Sequence, residues 1–397
     1  MKTAIQFGAG NIGRGFLGQL FSQSGYRVVF VDLNEELITL INNTGAYPLR
    51  IVRATGTRRI TVDNVCAVHA DDVEGIAEEI ANADIMATAV GKRAFNSIAP
   101  LIASGIERRI SLRIEDPLNI IICENLFHGA DTLRECILEN KDEQYQDYGR
   151  HHLGLVESVV SRMVPGRPEA TEETDPLLIT AEEYSVLPVD KKAFVGDIPP
   201  IDGLQPCDNL PARQEQKMFT HNTGHSLLAY LGYLKGYKYI HEAVRDGCIR
   251  DITLGALGES GRALIIKHKI DAQEHQHYVE NLLERFNNVP LADTVSRGAK
   301  DPIRKLGAED RLVGAAKLAL EYGVRPDYLA LGIAAAFDYD NVEDEQAITL
   351  SQIKRQGVDN VLADVCNLDP KEELSLLIKD KQRSDWKIRH SAEGTAA

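Results

Sequence analysis

A glycine motif close to the amino terminus constrains the fold of this chain more than any other feature. An apolar run at residues 4–7 predicts a short strand, GAGNIG follows at residues 8–13, and the apolar spacing then predicts a helix to about residue 24. A second apolar run at residues 27–31 ends on Asp32, which follows the glycines by about 20 residues. Strand, G-x-G-x-x-G, helix, strand and acid in this order are typical of a dinucleotide-binding βαβ unit.

The motif also indicates which groups would hold the dinucleotide. Glycines let the backbone approach a pyrophosphate, and the N-terminus of the following helix supplies N–H donors. The Asp32 carboxylate would accept hydrogen bonds from the adenosine ribose and repel a 2′-phosphate, so NAD is favoured over NADP. Two later buried strands, predicted at residues 84–90 and 119–123, would bring their carboxyl ends to the same cofactor. The candidate cofactor-binding residues are Gly8, Ala9, Gly10, Asn11, Ile12, Gly13, Asp32, Val90, Gly91, Glu124 and Asn125. For Glu124 and Asn125, the alternative is a helix cap before Leu126.

The length and the distribution of turn residues predict two domains. The chain has 397 residues, which is enough for two separate cores. Its first half alternates apolar runs with helical segments, whereas the apolar spacing beyond residue 210 is almost wholly helical. Prolines make residues 197–207 unsuitable for a helix or a central strand, and the boundary is placed there. The predicted fold class is α/β, with a Rossmann-type dinucleotide-binding domain that has extended-strand additions (1–200), a mainly α-helical second domain (201–381) and a disordered tail (382–397).

Four stretches of the first half have distinctive local patterns. Residues 59–68 predict a strand or a strand pair, and residues 177–189 predict extended chain. The charged insert 107–116 predicts a solvated loop or a helix end. Residues 165–176 are acidic and rich in turn-forming residues, which predicts an irregular connection.

Charge and cysteine usage exclude several classes of protein. The formal charge is −15, from 44 basic and 59 acidic residues, which makes general nucleic-acid binding a poor expectation. The six cysteines are scattered without a C-x-x-C pair, as expected for reduced thiols in a cytoplasmic protein. No apolar run approaches the ~18 residues that a membrane span requires. We therefore expect a cytoplasmic protein that acts on a small molecule.

The segment KMFTHNTGH at residues 217–225 carries the candidate chemistry. If it is an α-helix, at about 100° per residue, Asn222 lies about 140° and His225 about 80° around from Lys217. An amine that can lose its proton, an amide that can donate to oxygen and an imidazole that can orient a hydroxyl suit the oxidation of an alcohol. The alternative is an ordinary polar helix face.

A cationic stretch follows in the second half. Five basic residues lie within a short span of an otherwise acidic chain: Arg297, Lys300, Arg304, Lys305 and Arg311. Such a cluster can clamp a phosphate or a carboxylate. Neighbouring acids partly balance the charge, so a solvated surface is the alternative.

Four segments resemble the polyol-specific long-chain dehydrogenases: FGAGNIGRGF (7–16), NIIICEN (119–125), KMFTHNTGH (217–225) and DPIRKLGAEDRL (301–312). The likeness extends from residue 1 to about residue 380. The family signature K-x-x-x-x-N-x-x-H is met by Lys217, Asn222 and His225. By that resemblance Lys217 is the general base, Asn222 a donor to the developing oxyanion and His225 a substrate-orienting group.

The resemblance also implies a function. It implies an NAD-dependent, metal-independent and monomeric enzyme that interconverts D-mannitol 1-phosphate and D-fructose 6-phosphate, with Arg304 and Lys305 at the phosphate. Three positions depart from the family pattern: Glu157 replaces Asn or Asp, Ser161 replaces Asp, and His221 replaces an apolar residue. These departures leave the reaction class unchanged but leave the exact substrate open.

Three alternatives are weighed against this expectation. The same fold could reduce a hexuronate or act on a free hexitol or ketose, or it could belong to a NAD-sensing protein that has lost turnover. The four-residue spacing of His221 and His225 could hold zinc on a helix, but a third ligand and an H-E-x-x-H pattern are absent from the sequence. His275 and His277 are expected at the surface.

Overall fold

The computed structural model describes residues 1–139, 141–165 and 175–383. Most of the predicted irregular connection at 165–176 lies outside the described residues. Of the tail predicted to be disordered from residue 382, residues 382 and 383 are instead the end of a helix, and the rest lies outside the described residues. The chain divides into two compact units, Met1–Gln214 and Glu215–Ala397, which we call unit 1 and unit 2.

Unit 1 contains all the described strands. They are β1 (Thr3–Phe7), β2 (Arg27–Asp32), β3 (Ala46–Arg53), β4 (Gly56–Asp63), β5 (Val65–His69), β6 (Ile85–Thr88), β7 (Leu118–Ile122), β8 (Leu153–Glu157), β9 (Ile179–Glu182), β10 (Leu187–Asp190) and β11 (Leu204–Cys207). The α-helices of the same part of the chain are α1 (Gly18–Gln23), α2 (Glu35–Thr44), α3 (Val73–Ala81), α4 (Phe95–Ser111), α5 (Gly129–Leu138), α6 (Glu143–His151) and α7 (Leu210–Gln216), the last of which crosses the boundary between the units.

A six-stranded parallel sheet forms the centre of unit 1. Its strand order is β5-β2-β1-β6-β7-β8, so the chain first builds outward from β1 in one direction and then continues from β6 in the other. This is the doubly wound order, whose reversal between β1 and β6 creates the crevice where such sheets bind ligands. The predicted Rossmann-type fold is confirmed.

The apolar runs of the central strands are explained by burial on both faces. In β1, Ala4 belongs to one apolar cluster whereas Ile5 and Phe7 belong to the cluster on the opposite face. In β2, Val28 and Val29 likewise belong to the clusters on opposite faces of the sheet. Because helices cover both faces, successive residues can all be apolar, and the strands read as continuous hydrophobic runs.

Two small sheets complete unit 1. The hairpin of β3 and β4 is antiparallel, and β9 pairs with β3 in parallel. Strands β10 and β11 form a parallel pair. The strand pair expected at 59–68 is present as the end of β4 and β5, and the extended chain expected at 177–189 is present as β9 and most of β10. Strand β3 was not predicted, because Pro48 and its arginines hide the inward alternation of Tyr47, Leu49 and Ile51.

In its described residues, unit 2 consists of helices joined by turns and loops, with one isolated bridge between Tyr239 and Thr294. Its α-helices are α8 (Thr223–Leu234), α9 (Ile240–Arg245), α10 (Gly247–His268), α11 (Ala272–Phe286), α12 (Val295–Ala299), α13 (Pro302–Lys305), α14 (Val313–Glu321), α15 (Asp327–Ala336), α16 (Glu345–Gln356), α17 (Val358–Asn360) and α18 (Glu373–Arg383). Helix α8 is buried through most of its length and packs against α9, α10, α12 and α15. Gly332 lets α15 approach it, because a Cβ there would lie 1.9 Å from the Leu227 side chain. No helix of the described residues is long and apolar enough to span a membrane.

In the part of the chain that the structure describes, three turns widen from α to π geometry, at Gly13–Leu17, Lys217–Asn222 and Val361–Val365. None was predicted, because residue spacing was interpreted at the α-helical period. The first begins the helix that follows the glycine motif, and the second contains the candidate catalytic segment.

The charged insert at 107–116 had been predicted to be either a solvated loop or a helix end. It contains the end of α4, but one of its charged side chains is buried. The Arg109 side chain is 1% exposed. Its guanidinium donates to the Tyr148 hydroxyl (2.7 Å), to the Asp116 carbonyl (2.6 Å) and to carbonyls at the end of α3, including Ala81 (3.2 Å). A cation at the carboxyl end of a helix also complements the helix dipole. Arg109 thus links α3, α4 and α6.

We expect Arg109→Met to lower the free energy of unfolding by about 3 kcal/mol, because several buried acceptors lose their donor together. Arg108→Met is the matched control, since Arg108 is exposed on the same helix and its loss should change stability by less than about 0.5 kcal/mol. Urea unfolding of both variants measures the difference, and equal stabilities would show that the Arg109 contacts contribute nothing.

Candidate active site

The glycine motif forms a tight loop between β1 and the first helix. Gly8 has a φ of 91°, a conformation that favours glycine. A Cβ on Gly13 would lie 1.9 Å from the Gly8 carbonyl oxygen, so only glycine allows the helix to start this close to the loop. A Cβ on Gly10 would meet nothing within 4 Å. The Gly10 side of the loop is therefore open, as the approach of a pyrophosphate requires.

Asp32 braces this loop from the end of β2. Its Oδ2 accepts from the Ala9 N–H at 2.7 Å, and its Oδ1 accepts from the Asn34 N–H at 3.0 Å. A carboxylate has about four acceptor positions, so two backbone bonds leave capacity for ribose hydroxyls. The hydrogen bond to Ala9 gives Asp32 a structural role in the loop, which was not predicted from the sequence. The open loop and the acid at the strand end together fit NAD.

The other cofactor candidates lie at the carboxyl ends of β6 and β7. The Glu124 carboxylate accepts from the N–H groups of Val90 (2.8 Å) and Gly91 (2.9 Å), so it ties the two strand ends together. Burial raises the pKa of Glu124, and these backbone donors oppose the rise. The alternative of a helix cap before Leu126 is wrong, since α5 begins at Gly129. Asn125 is exposed beside Glu124, and Asn11 and Ile12 are helical residues at the start of the helix that follows Gly10.

Glu157 has a structural role that accounts for its departure from the family pattern. It ends β8, and its two carboxylate oxygens accept from the Ala130 N–H (3.2 Å) and from Gln214 Nε2 (2.9 Å). Ala130 lies in the first turn of α5, where a carboxylate is favourable. Ser161, the second departure, is buried.

In unit 2 the π-helical turn changes the predicted geometry of the candidate catalytic residues. A π-helix closes i→i+5 bonds, so residues five apart lie nearly above one another. By this pattern Asn222 lies about one turn from Lys217 on the same side of the helix, rather than about 140° around it as α geometry had predicted. The wide turn is held from outside, because Ser260 donates to the Phe219 carbonyl (2.7 Å) and Thr223 donates to that of Arg311 (2.6 Å).

The environment of Lys217 is suited to an amine that exchanges a proton. Burial lowers the pKa of Lys217 to about 7, with a further lowering from the guanidinium of Arg311 and a partial opposition from Asp310. Asp310 itself binds Arg311, whose Nε lies 2.7 Å from its Oδ1. An amine with a pKa near neutrality can both accept and release a proton under ordinary conditions.

His225 is held by residues outside the predicted set. Its Nε2 lies 2.8 Å from Asp293 Oδ2, and the other oxygen of Asp293 binds Arg297 at 2.7 Å. The ring of Phe286 lies 5.6 Å from that of His225 and 5.6 Å from that of His221. Asp293 and Phe286 were not predicted, because nothing in their local sequence distinguishes them from helix-terminal acids and core aromatics.

His221 is buried, as expected for a position that the resemblance implies is usually apolar. Burial lowers its pKa well below the usual value, so the ring is neutral. His275, expected at the surface, is instead 4% exposed, and its Nδ1 lies 3.1 Å from Gln216 Nε2. Within residues 1–139, 141–165 and 175–383, no three His, Cys, Asp or Glu side chains are grouped to hold a metal ion.

The predicted phosphate-holding pair occupies two different environments. Lys305 is 4% exposed and donates to the Gly298 carbonyl at 2.5 Å. Burial, aided by the guanidinium of Arg311, lowers its pKa well below the usual value. Arg304 is about half exposed and pairs with Asp301 and Asp310 at 3.4 Å. The solvated-surface alternative therefore describes Arg304 in part and Lys305 not at all.

Comparison with known protein families covers both units. The mannitol dehydrogenase Rossmann domain matches residues 2–203, and the mannitol dehydrogenase C-terminal domain matches residues 209–383. The chain belongs to the mannitol dehydrogenase family. The resemblance indicated by the four sequence segments is confirmed.

Curated relatives and solved structures agree with this assignment. Mannitol-1-phosphate 5-dehydrogenase of Brevibacillus brevis is 39% identical over 98% of this chain and 100% of its own length, and that of Bacillus pumilus is 38% identical over 96% and 100%. Among solved structures, Pseudomonas fluorescens mannitol 2-dehydrogenase in ternary complex with NAD and D-mannitol has a TM-score of 0.74 at 16% identity, covering 96% of this chain and 91% of its own. A D-sorbitol dehydrogenase in substrate-free form has a TM-score of 0.77 at 16% identity, covering 96% and 92%. At such low identity these structures show the shared fold.

We expect Asp32→Asn to weaken NADH binding by roughly 10- to 100-fold, because hydrogen bonds to a charged acceptor are worth about 1.5–3 kcal/mol. The same change should narrow the preference for NADH over NADPH, since the repulsion of a 2′-phosphate is removed. Glu36→Gln removes one exposed carboxylate in the following helix and is the matched control. Fluorescence titration with both dinucleotides measures the affinities, and an unchanged preference in Asp32→Asn would contradict the assignment.

Proposed function

We propose that the protein is an NAD-dependent oxidoreductase that interconverts D-mannitol 1-phosphate and D-fructose 6-phosphate. The observation that carries the proposal is the π-helical turn in which an amine with a pKa of about 7, Lys217, lies in line with the amide of Asn222. The family membership and the names of the curated relatives support the substrate.

Each polar side chain of this cluster has a separate proposed role. Lys217 accepts the hydroxyl proton as the alcohol is oxidised, and returns it to the carbonyl oxygen as the ketose is reduced. Asn222 donates to the oxygen while negative charge develops there. His225 orients a substrate hydroxyl. NAD, when bound, supplies the hydride acceptor.

Gly8, Gly10 and Gly13 would hold the pyrophosphate of NAD, and Asp32 would hold its ribose. The remaining cofactor candidates, Val90, Gly91, Glu124 and Asn125, belong to the same proposal. Glu124 acts in it by setting the positions of the Val90 and Gly91 backbone.

The phosphate of the substrate is the least constrained part of the proposal. Arg304 is half exposed, and its guanidinium could exchange the long contacts with Asp301 and Asp310 for phosphate oxygens. Lys305 is buried with its amine bound to the Gly298 carbonyl, and its lowered pKa makes it a weaker source of positive charge than Arg304. The loss of a charge-assisted contact should therefore be measured first at Arg304.

A monomeric state, a cytoplasmic location and the absence of nucleic-acid partners belong to the same proposal. The acidic net charge of −15 supports the last of these. Light scattering on the purified protein tests the first.

The substrate assignment is tested by NADH oxidation with fructose 6-phosphate, free fructose and a hexuronate at matched concentrations. We expect a strong preference for fructose 6-phosphate. Arg304→Gln should raise the KM for that substrate by roughly 10- to 100-fold, because a charged hydrogen bond is worth about 1.5–3 kcal/mol. Arg325→Gln removes an exposed arginine that pairs with Asp327 and is the matched control. Activity confined to the hexuronate or to fructose would show that the proposed substrate is wrong. No activity with any of the three compounds would favour a NAD-sensing protein.

The pKa of Lys217 predicts opposite pH dependences for the two directions. Oxidation needs the neutral amine, so its kcat/KM should rise with pH through about 7 and then level off. Reduction needs the ammonium, so its kcat/KM should fall through the same range. Lys217→Ala should retain NADH binding and lose turnover by about 10²-fold or more in both directions. Normal turnover by this variant would show that another group is the base.

A further inference from the structure

The side chain that holds His225 is a buried carboxylate with two charged or polar partners. The Asp293 side chain is 5% exposed and lies between the imidazole of His225 (2.8 Å) and the guanidinium of Arg297 (2.7 Å). Burial by itself would raise the pKa of Asp293, but His225 and Arg297 lower it to about 2. Asp293 is therefore ionised at every pH at which the folded protein is expected to work.

The backbone around Asp293 is also restrained. Its carbonyl accepts from the Ile240 N–H at 2.9 Å, and the next residue, Thr294, caps α12 by accepting from Arg297 N at 3.2 Å. Gly298, the residue after Arg297 in α12, lies against the His225 ring, because a Cβ there would lie 3.1 Å from His225 Cε1. The segment from Asp293 to Gly298 thus holds the imidazole both by a hydrogen bond and by close packing.

We propose that Asp293 is a positioning residue that fixes the orientation and the tautomer of His225. An ionised carboxylate is an acceptor only, so the contact requires the proton of the ring to be on Nε2. Burial lowers the pKa of His225, and Asp293 opposes that lowering only in part, which favours the ring with a single proton. His225 then has Nδ1 as a free acceptor.

The inference deepens the proposed function, on which its kinetic consequence rests. With Nδ1 as an acceptor, His225 takes a hydrogen bond from a substrate hydroxyl and does not donate one. A hydroxyl that donates to His225 keeps its oxygen free to accept from another group. Asp293 thereby determines which hydrogen-bonding partner the substrate must present, without touching the substrate itself.

The tautomer is measured without any substrate. In the full chain labelled with ¹⁵N-histidine, with the His225 signals identified by His225→Gln, we expect the neutral tautomer with its proton on Nε2. Asn at position 293 can either accept from or donate to Nε2, so Asp293→Asn should distribute the proton over both ring nitrogens. A proton on Nδ1 in the unmodified protein, or the same spectrum in both proteins, would overturn the inference.

The kinetic consequence is measured by a double-mutant cycle with fructose 6-phosphate and NADH. Asp293→Asn should lower kcat by up to about 10²-fold, because misoriented groups lose about that much, while NADH affinity stays the same. In the His225→Gln background, Asp293→Asn should cause no further loss, since it acts through the imidazole. Losses that multiply would overturn the inference.

Glu259→Gln is the matched control for the burial of a carboxylate. The Glu259 side chain is buried in the same unit and accepts from the N–H groups of Tyr328 and Leu329 at 2.9 Å, at the start of α15. Its loss should lower stability and leave the kcat of the folded enzyme and the His225 spectrum unchanged. If no sugar is turned over, the proposed function fails while the tautomer measurement still decides the role of Asp293.

Discussion

The widening of one helical turn at Lys217–Asn222 is the constraint on which the candidate catalytic site depends. In α geometry the amine and the amide would point to different sides of the helix, whereas i→i+5 closure brings them into line. The wider turn leaves backbone carbonyls that need outside donors, and the Ser260 hydroxyl donates to one of them, the carbonyl of Phe219. The helix that follows the glycine loop also has a π turn near its start, at Gly13–Leu17. A widened turn is therefore present both beside the proposed cofactor site and at the proposed catalytic residues.

Buried charge is present in both units, and the structure compensates each charge locally. Arg109 has five acceptors around its guanidinium, Glu259 caps a helix, and Asp293 lies between an imidazole and an arginine. Removing one partner would leave the other buried and unpaired, which costs more than the contact itself contributes. Lys217 differs from these groups, because burial and neighbouring cations lower its pKa to about 7, so that the charged and the neutral amine are both accessible near neutral pH. The same desolvation that penalises a structural charge is thus what suits Lys217 to proton transfer.

The departures from the family pattern have different explanations. Glu157 supports α5 and Gln214, which is a structural use of its longer side chain. His221 is neutral and packs edge-on to Phe286, so it serves as a core residue in a position that is usually apolar. Nothing in the structure explains why Ser161 replaces an acid.

The Rossmann-type sheet, the helical second half and the membership of a polyol dehydrogenase family could all be predicted from the amino-acid sequence, because glycine spacing, apolar periodicity and the K-x-x-x-x-N-x-x-H signature are local patterns. The loop and strand-end positions of the cofactor candidates followed from the same patterns, since Asp32 and Glu124 end predicted strands. Contacts between residues that are far apart in the sequence could be seen only in the tertiary structure. Asp293 lies 68 residues from His225, and Ser260 lies 41 residues from Phe219, so no local pattern could connect them. The tertiary structure also decided the pKa of Lys217 and the separate environments of Arg304 and Lys305, because desolvation depends on everything that packs around a side chain and not on its neighbours in sequence.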